Sequence, residues 1–222
     1  MIRSSRRVFV LSALWLVASC SVFLRAEDEK IRIACVGDSI TFGAGVDHRE
    51  QNAYPVVLGK LLGEKYDSKN FGVSGATLLK KGDLPWWKQG AFKAATDFNP
   101  NIVVIKLGTN DTKPQNIKFK DEFATDLAAL VDHFAQLPAK PKVFLCLPVP
   151  AYATQWGINE AGIKEMVFPA IEKVAKDKGC VIIDLHTALS DKANLFPDKI
   201  HPNAEGAAII AKTVADAIQA AK

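Results

Sequence analysis

Four short segments of the chain carry residue types that could do chemistry together. Ser39 lies in Gly37-Asp38-Ser39-Ile40-Thr41, directly after an apolar run that begins at Ile31. Gly75 ends Asn70-Phe71-Gly72-Val73-Ser74-Gly75, and Asn110 lies in Gly108-Thr109-Asn110-Asp111. Asp198-Lys199-Ile200-His201 stands near the end of the chain. A serine hydroxyl is a poor nucleophile until a base takes its proton. Histidine, with an unperturbed pKa of about 6.5, can do so near neutrality. A carboxylate three residues ahead can accept a hydrogen bond from the other ring nitrogen. Gly75 and Asn110 offer donors for an oxyanion. Taken singly, each residue has an ordinary role: Ser39 as a helix cap, Gly75 as a turn residue, Asn110 and Asp111 as turn formers, Asp198 and His201 as caps of a last helix opened by Pro202.

The elements that must position these residues alternate between two periods. Ile31 to Val36 reads as a buried strand, ended by Gly37. Tyr54 to Tyr66 has helical spacing at Val57, Leu58, Leu61 and Leu62, and Asn70 to Val73 reads as a short strand. Lys88 to Asp97 is a helix stopped by Asn99-Pro100, and Asn101 to Leu107 a second clear strand. Lys118 to Gln136 is a helix, Lys142 to Leu147 a strand, and Asn159 to Lys178 a helix kinked at Pro169. Val181 to Leu185 closes the strands and Ala204 to Ala220 the helices. Strands alternating with crossover helices specify a parallel sheet covered on both faces. The expected fold is a three-layer α/β/α, flavodoxin-like domain with five parallel strands in the order 2-1-3-4-5. Ligands of such sheets bind outside the carboxyl ends of the strands. Ser39, Gly75 and Asn110 all fall there, with His201 in a loop beside them.

These segments resemble the SGNH hydrolases, also called GDSL-type esterases. Gly-Asp-Ser-Ile-Thr is similar to the family's first block, with Ile40 where the family's name has leucine. Gly75 matches the glycine of block two, Asn110 the asparagine of block three, and Asp198-x-x-His201 the final block. The resemblance extends over residues 27–222. It is finest to bacterial sialate O-acetylesterase-like and carbohydrate-acetylesterase-like members, through the segment Lys80 to Lys88 and Gly-Thr-Asn-Asp-Thr-Lys-Pro-Gln-Asn. It implies Ser39 as nucleophile, His201 as base and Asp198 as its orienting partner. It also implies an oxyanion hole from the backbone N–H groups of Ser39 and Gly75 and the side-chain amide of Asn110. No cofactor or metal is expected, since no Cys/His ligand spacing occurs. The Gly-x-Ser-x-Gly elbow of α/β-hydrolases is absent.

Residues 1–26 read as a signal peptide, with Arg3, Arg6 and Arg7 before an apolar run from Val8 to Ala18. Cleavage after Ala26 is the expected exit. A lipid on Cys20, in Val17-Ala18-Ser19-Cys20, and a retained anchor are the alternatives. Of the 28 Lys and Arg residues, Arg3, Arg6, Arg7 and Arg25 lie in this acid-free segment, which leaves 24 basic against 24 acidic residues. No basic excess remains for phosphate contacts, so nucleic acid is not expected as a partner. Stable membrane association is not expected unless Cys20 is lipidated. Cys35, Cys146 and Cys180 are expected to be buried thiols rather than a Cys146–Cys180 bridge.

The expected function is that of an exported serine esterase removing short acyl groups, acetyl foremost, from carbohydrate. The loops after the third and fourth strands hold Lys113, Pro114, Gln115, Asn116, Tyr152, Gln155 and Trp156, a polar and aromatic set. An aliphatic groove would have favoured the alternative of a lysophospholipase or thioesterase. A non-catalytic carbohydrate-binding module is the alternative of another class, and it would have no use for Ser39, Asp198 and His201 together. Trp86 and Trp87 are candidates for a sugar platform, or for packing beneath their loop. His48, His133 and His186 show no comparable partners in the sequence.

Overall fold

The structure, a computed structural model, describes Met1 and residues 29–221. The leader segment and Cys20 lie outside the described residues. Five parallel strands form one sheet in the order β2-β1-β3-β4-β5, as expected. They are β1 (Ile31–Gly37), β2 (Tyr66–Gly72), β3 (Ile102–Lys106), β4 (Lys142–Leu147) and β5 (Val181–Asp184).

Side chains of a strand alternate between the two faces of the sheet. Ile33 and Cys35 of β1 therefore share one face with Val104 and Phe144. Ala34 and Val36 share the other with Val103, Ile105 and Leu145. The first face is covered by α3 (Tyr54–Leu62) and α10 (Ala204–Ala220), through Leu58, Ile210, Val214 and Ile218. The second is covered by α4 (Gly90–Asp97), α6 (Phe123–Ala135) and α8 (Phe168–Lys178), through Ala95, Leu127, Leu130, Phe134, Ile171 and Val174. Full burial of each such Leu, Ile or Phe contributes about 1.5–3 kcal/mol.

Several boundaries differ from the sequence expectation. Helix α3 ends at Leu62, because Gly63 takes φ 84° and turns the chain. Tyr66 consequently opens β2 instead of closing the helix, and the strand is longer than Asn70 to Val73. Its Asp-Ser-Lys-Asn run hides the strand period because β2 is an edge strand and only partly buried. The helix expected over residues 159–178 is broken. A short α7 (Glu160–Gly162) is followed by a π turn at Ile163–Val167, and α8 starts at Phe168 with Pro169 in its first turn. A proline ring clashes with the carbonyl four residues back, and the wider turn absorbs it. The helix expected from Lys118 opens instead with a 3-10 turn at Lys120–Glu122. Cys35 and Cys146 are buried and Cys180 partly buried, all as free thiols. Burial pushes the Cys35 thiol up to about 12, against hydrogen bonds with Ser68 and Tyr54.

The carboxyl ends of β1 and β2 are built for a close approach. Gly37 and Gly72 are register partners in adjacent strands. A Cβ on Gly37 would lie 2.0 Å from Thr41 Oγ1, and one on Gly72 would lie 2.2 Å from the Phe42 backbone nitrogen. The one-turn helix α1 (Ser39–Phe42) therefore lies flat across two strand ends where only glycine fits. Asn70 ties the turn down, its Nδ2 donating to the Thr41 carbonyl at 2.8 Å.

Beneath this turn is a fully buried ion pair. Lys106 Nζ, from the end of β3, donates to both Asp38 carboxylate oxygens at 3.0 and 2.9 Å and to Thr109 Oγ1 at 2.8 Å. Both partners have no exposed side-chain surface. Removing one member of a buried pair strands the other, at a cost of about 3–5 kcal/mol. Lys106→Met is thus expected to lose about that much stability in urea unfolding, with most of it regained in Asp38→Asn/Lys106→Met. A single-variant loss below about 1 kcal/mol would show that the pair does not hold the turn.

Candidate active site

Asp38 also settles what kind of serine follows it. Its Oδ1 accepts from the Ile40 N–H at 3.0 Å, so Asp38, not Ser39, is the cap of α1. The Ser39 hydroxyl is released from capping and meets His201 Nε2 at 2.8 Å. His201 Nδ1 meets Asp198 Oδ2 at 2.7 Å. The second carboxylate oxygen, Oδ1, accepts the backbone N–H groups of Ile200 at 2.9 Å and His201 at 2.6 Å. Burial works to raise the Asp198 carboxyl, but these N–H groups and the His201 ring outweigh it and hold it below the usual carboxylate range. A carboxylate at Nδ1 fixes the proton there and leaves the Nε2 lone pair for the serine proton.

The Asp198–His201 turn is anchored on both sides. Ile200 is buried in a small apolar cluster with Ala151, Ile158 and Ile163. Tyr152 donates its N–H to the Lys199 carbonyl at 2.9 Å. Lys199 takes φ 70°, the left-handed conformation that bends the chain between the two functional residues.

The expected oxyanion donors gather around the same point. Ser39 provides the first N–H of α1, which no residue of a helix can accept. Gly75, at φ 83°, presents its N–H from the loop after β2. Among the described residues neither N–H meets an acceptor. Asn110 starts a 3-10 turn after β3 and is almost fully buried. Its amide spends one N–H on the Ala76 carbonyl at 3.0 Å, which leaves the other for the cavity. Asn116 steadies it, donating to the Asn110 carbonyl at 2.9 Å and to Asp83 Oδ1 at 2.9 Å.

Ser39, Ser74, Gly75, Asn110, Lys113, Trp156, Ile158 and His201 line a cavity of about 200 Å³. A larger surface groove, about 420 Å³, runs between α6 and α8. It holds no serine or histidine, so the smaller cavity is the candidate site.

Two sequence expectations are corrected. Trp86 is fully buried, donates Nε1–H to the Phe71 carbonyl at 2.9 Å and packs edge-on against Phe92. Trp87 donates to the Leu78 carbonyl at 2.8 Å with Lys80 Nζ 4.3 Å above its ring. Neither lines the cavity, because both indoles serve to bind their loop to the second face of the sheet. His186 does have a carboxylate partner, Glu160 Oε1 at 2.6 Å. That pair instead holds a loop, the other Glu160 oxygen accepting the Ala151 N–H.

Sequence reasoning missed Asp111, which had looked like a turn former. It is fully buried, and its two oxygens accept the N–H groups of Leu78 at 3.1 Å and Leu79 at 2.8 Å. It thereby holds the segment that carries Gly75 and Ala76. Lys106 was missed as well, since a lysine inside an apolar strand gives no sign of what it pairs with.

Residues 35–209 match the GDSL-like Lipase/Acylhydrolase family. The chain belongs to that family. An acetylxylan esterase of Xylanibacter ruminicola is 42% identical over 211 residues, covering 87% of this chain and 44% of that protein. The chain thus spans less than half the length of that curated relative. Est24, a carbohydrate acetylesterase from Sinorhizobium meliloti, shares the fold at a TM-score of 0.72 and 22% identity, with 87% of this chain and all (100%) of that one covered. The native aryl esterase of M. smegmatis does so at 0.70 and 20%, with 85% and 98% covered. Each of the four segments singled out in the sequence contributes a residue to the one cavity: Ser39, Gly75, Asn110 and His201.

Burial is the largest influence on Asp111 and pushes its carboxyl up to about 7, the Leu79 and Leu78 N–H groups pulling it down and the Asp38 charge adding to the rise. The folded state then holds a proton that the unfolded chain releases near pH ~3.9. Stability from this group is present below that value and lost as pH rises toward the folded value. The Tm of the wild type minus that of Asp111→Asn is expected to fall between about pH 4 and about pH 7 and to level off above. A difference that grows with pH would mean that Asp111 is ionised in the fold.

Proposed function

We propose that this chain is a serine esterase that removes acetyl groups from carbohydrate, acetylated xylan first among them. The observation that carries the reading is the unbroken relay of Asp198, His201 and Ser39 at 2.7 and 2.8 Å, opening into a small cavity. The name of the 42% identical relative supports the acetylated polysaccharide.

In this reaction Ser39 Oγ attacks the ester carbonyl carbon while its proton passes to His201 Nε2. Asp198 stabilises the imidazolium so formed. The carbonyl oxygen becomes an oxyanion and meets the N–H groups of Ser39 and Gly75 and the free amide N–H of Asn110. Each such donor is worth about 3–4 kcal/mol in the transition state. Collapse breaks the ester bond, and His201 returns the proton to the departing sugar hydroxyl. Water, deprotonated by His201, then releases acetate from the acetyl-serine.

Export belongs to the same reading, because a polysaccharide lies outside the cell. Its support is the basic start at Arg3, Arg6 and Arg7, the apolar run after it and Leu24-Arg25-Ala26 before Glu27.

Ser39→Ala and His201→Ala are each expected to reduce acetate release to below a few per cent. The double variant should be little worse than either, since the two residues act as a unit. Acyl length separates acetyl from long-chain substrates. A groove that buried the chain would gain about 0.8 kcal/mol, about fourfold in kcat/KM, per methylene. In a p-nitrophenyl ester series the expected order is instead acetate above butyrate, with octanoate near background. An optimum at octanoate would replace the acetylesterase with a lipase-like enzyme.

A further inference from the structure

Trp156 is the aromatic ring that the cavity does contain, and nothing in the catalytic relay accounts for it. It is 57% exposed, which is unusual for a tryptophan, and its ring centroid lies 5.5 Å from that of His201. The backbone that presents it is a tight two-residue turn. Gln155 and Ile158 exchange both backbone hydrogen bonds, at 3.1 and 2.9 Å. The residues between them, Trp156 and Gly157, take φ 51° and 81°.

Positive φ at both central positions is the mark of a type I′ turn, whose first position favours Asn, Asp or Gly. A tryptophan there adopts a left-handed conformation that its Cβ disfavours, and it leaves a large apolar ring in water. Neither feature stabilises the fold. Both are what a fixed, outward-facing ring requires. The turn itself is stiff, since Ile158 is buried with Ile200 and Ile163, and a Cβ on Gly157 would meet Pro114 Cδ at 2.8 Å. The indole is thus mounted on the same small core that holds the His201 turn.

We infer that Trp156 is the platform on which the sugar ring carrying the ester lies, positioning the acetyl carbonyl over Ser39. This rests on the carbohydrate reading above and names the side chain that selects a sugar ester over a small alkyl ester. Apolar C–H faces of a pyranose match an exposed indole face, whereas an alkyl acetate leaves the indole uncovered.

The test compares acetylated xylo-oligosaccharides with ethyl acetate for wild type, Trp156→Phe and Trp156→Asn. The Asn variant suits the turn, so its Tm is expected to equal or exceed that of wild type. The ratio of kcat/KM on the oligosaccharide to that on ethyl acetate is expected to fall about tenfold in Trp156→Asn, mainly through KM. Trp156→Phe should keep it within about threefold of wild type, because the ring remains. A ratio unchanged in Trp156→Asn overturns the platform and leaves the esterase reading standing. A second arm removes the chemistry, with binding of the same oligosaccharides measured by calorimetry on Ser39→Ala and Ser39→Ala/Trp156→Asn. Weaker binding in the double variant upholds the platform even if wild type released no acetate from glycans, a result that would defeat only the esterase reading. Equal binding, or none in either variant, overturns the platform.

Discussion

The buried pair between Asp38 and Lys106 is the constraint on which the site depends. It joins the ends of two neighbouring strands, β1 and β3, at the point where both leave the sheet. Asp38 spends one oxygen on the cap of α1 as well, so the same carboxylate neutralises a lysine and orients the turn that presents Ser39. Lys106 also reaches Thr109, next to the amide of Asn110. Charges without access to water are strongly held only when all their hydrogen-bonding capacity is met. The serine and the asparagine are thereby tied to one rigid centre although they come from different loops.

A second centre holds the other half of the chemistry. Ile158, Ile163, Ile200 and Ala151 form a small core apart from the two main ones. The histidine turn sits on one side of it and the tryptophan turn on another. The cavity lies between the polar centre and this apolar one, where the two groups of loops meet.

Much of this was legible in the sequence, for identifiable reasons. The central strands are buried on both faces and read as continuous apolar runs, so the sheet order and the crossover helices could be read directly. Ser39, Gly75, Asn110, Asp198 and His201 stand at strand ends or in a short turn, where local spacing reflects local geometry. Edge strand β2 does not read as a strand along its whole length because most of its residues are only partly buried and its polar run shows no apolar pattern. The sequence leaves the indoles undecided between a platform and packing, for a different reason. Trp86 and Trp87 and Trp156 are alike as residue types, and only packing across the chain decides which ring faces the cavity. Asp38, Lys106 and Asp111 act through partners 68 or about 30 residues away, at Leu78 and Leu79 in the case of Asp111. No window along the sequence displays such pairs.

The hydrogen bond between Ser39 and His201 spans 162 positions of the chain. Ser39 leaves the ribosome long before His201, which comes just ahead of α10. Contacts of such separation close late, after the loops between them have been ordered. A nascent or partly folded molecule therefore carries Ser39 without His201 beside it, and a serine hydroxyl with no base at hand is a poor nucleophile. The relay closes only when the turn that carries His201 docks beside α1.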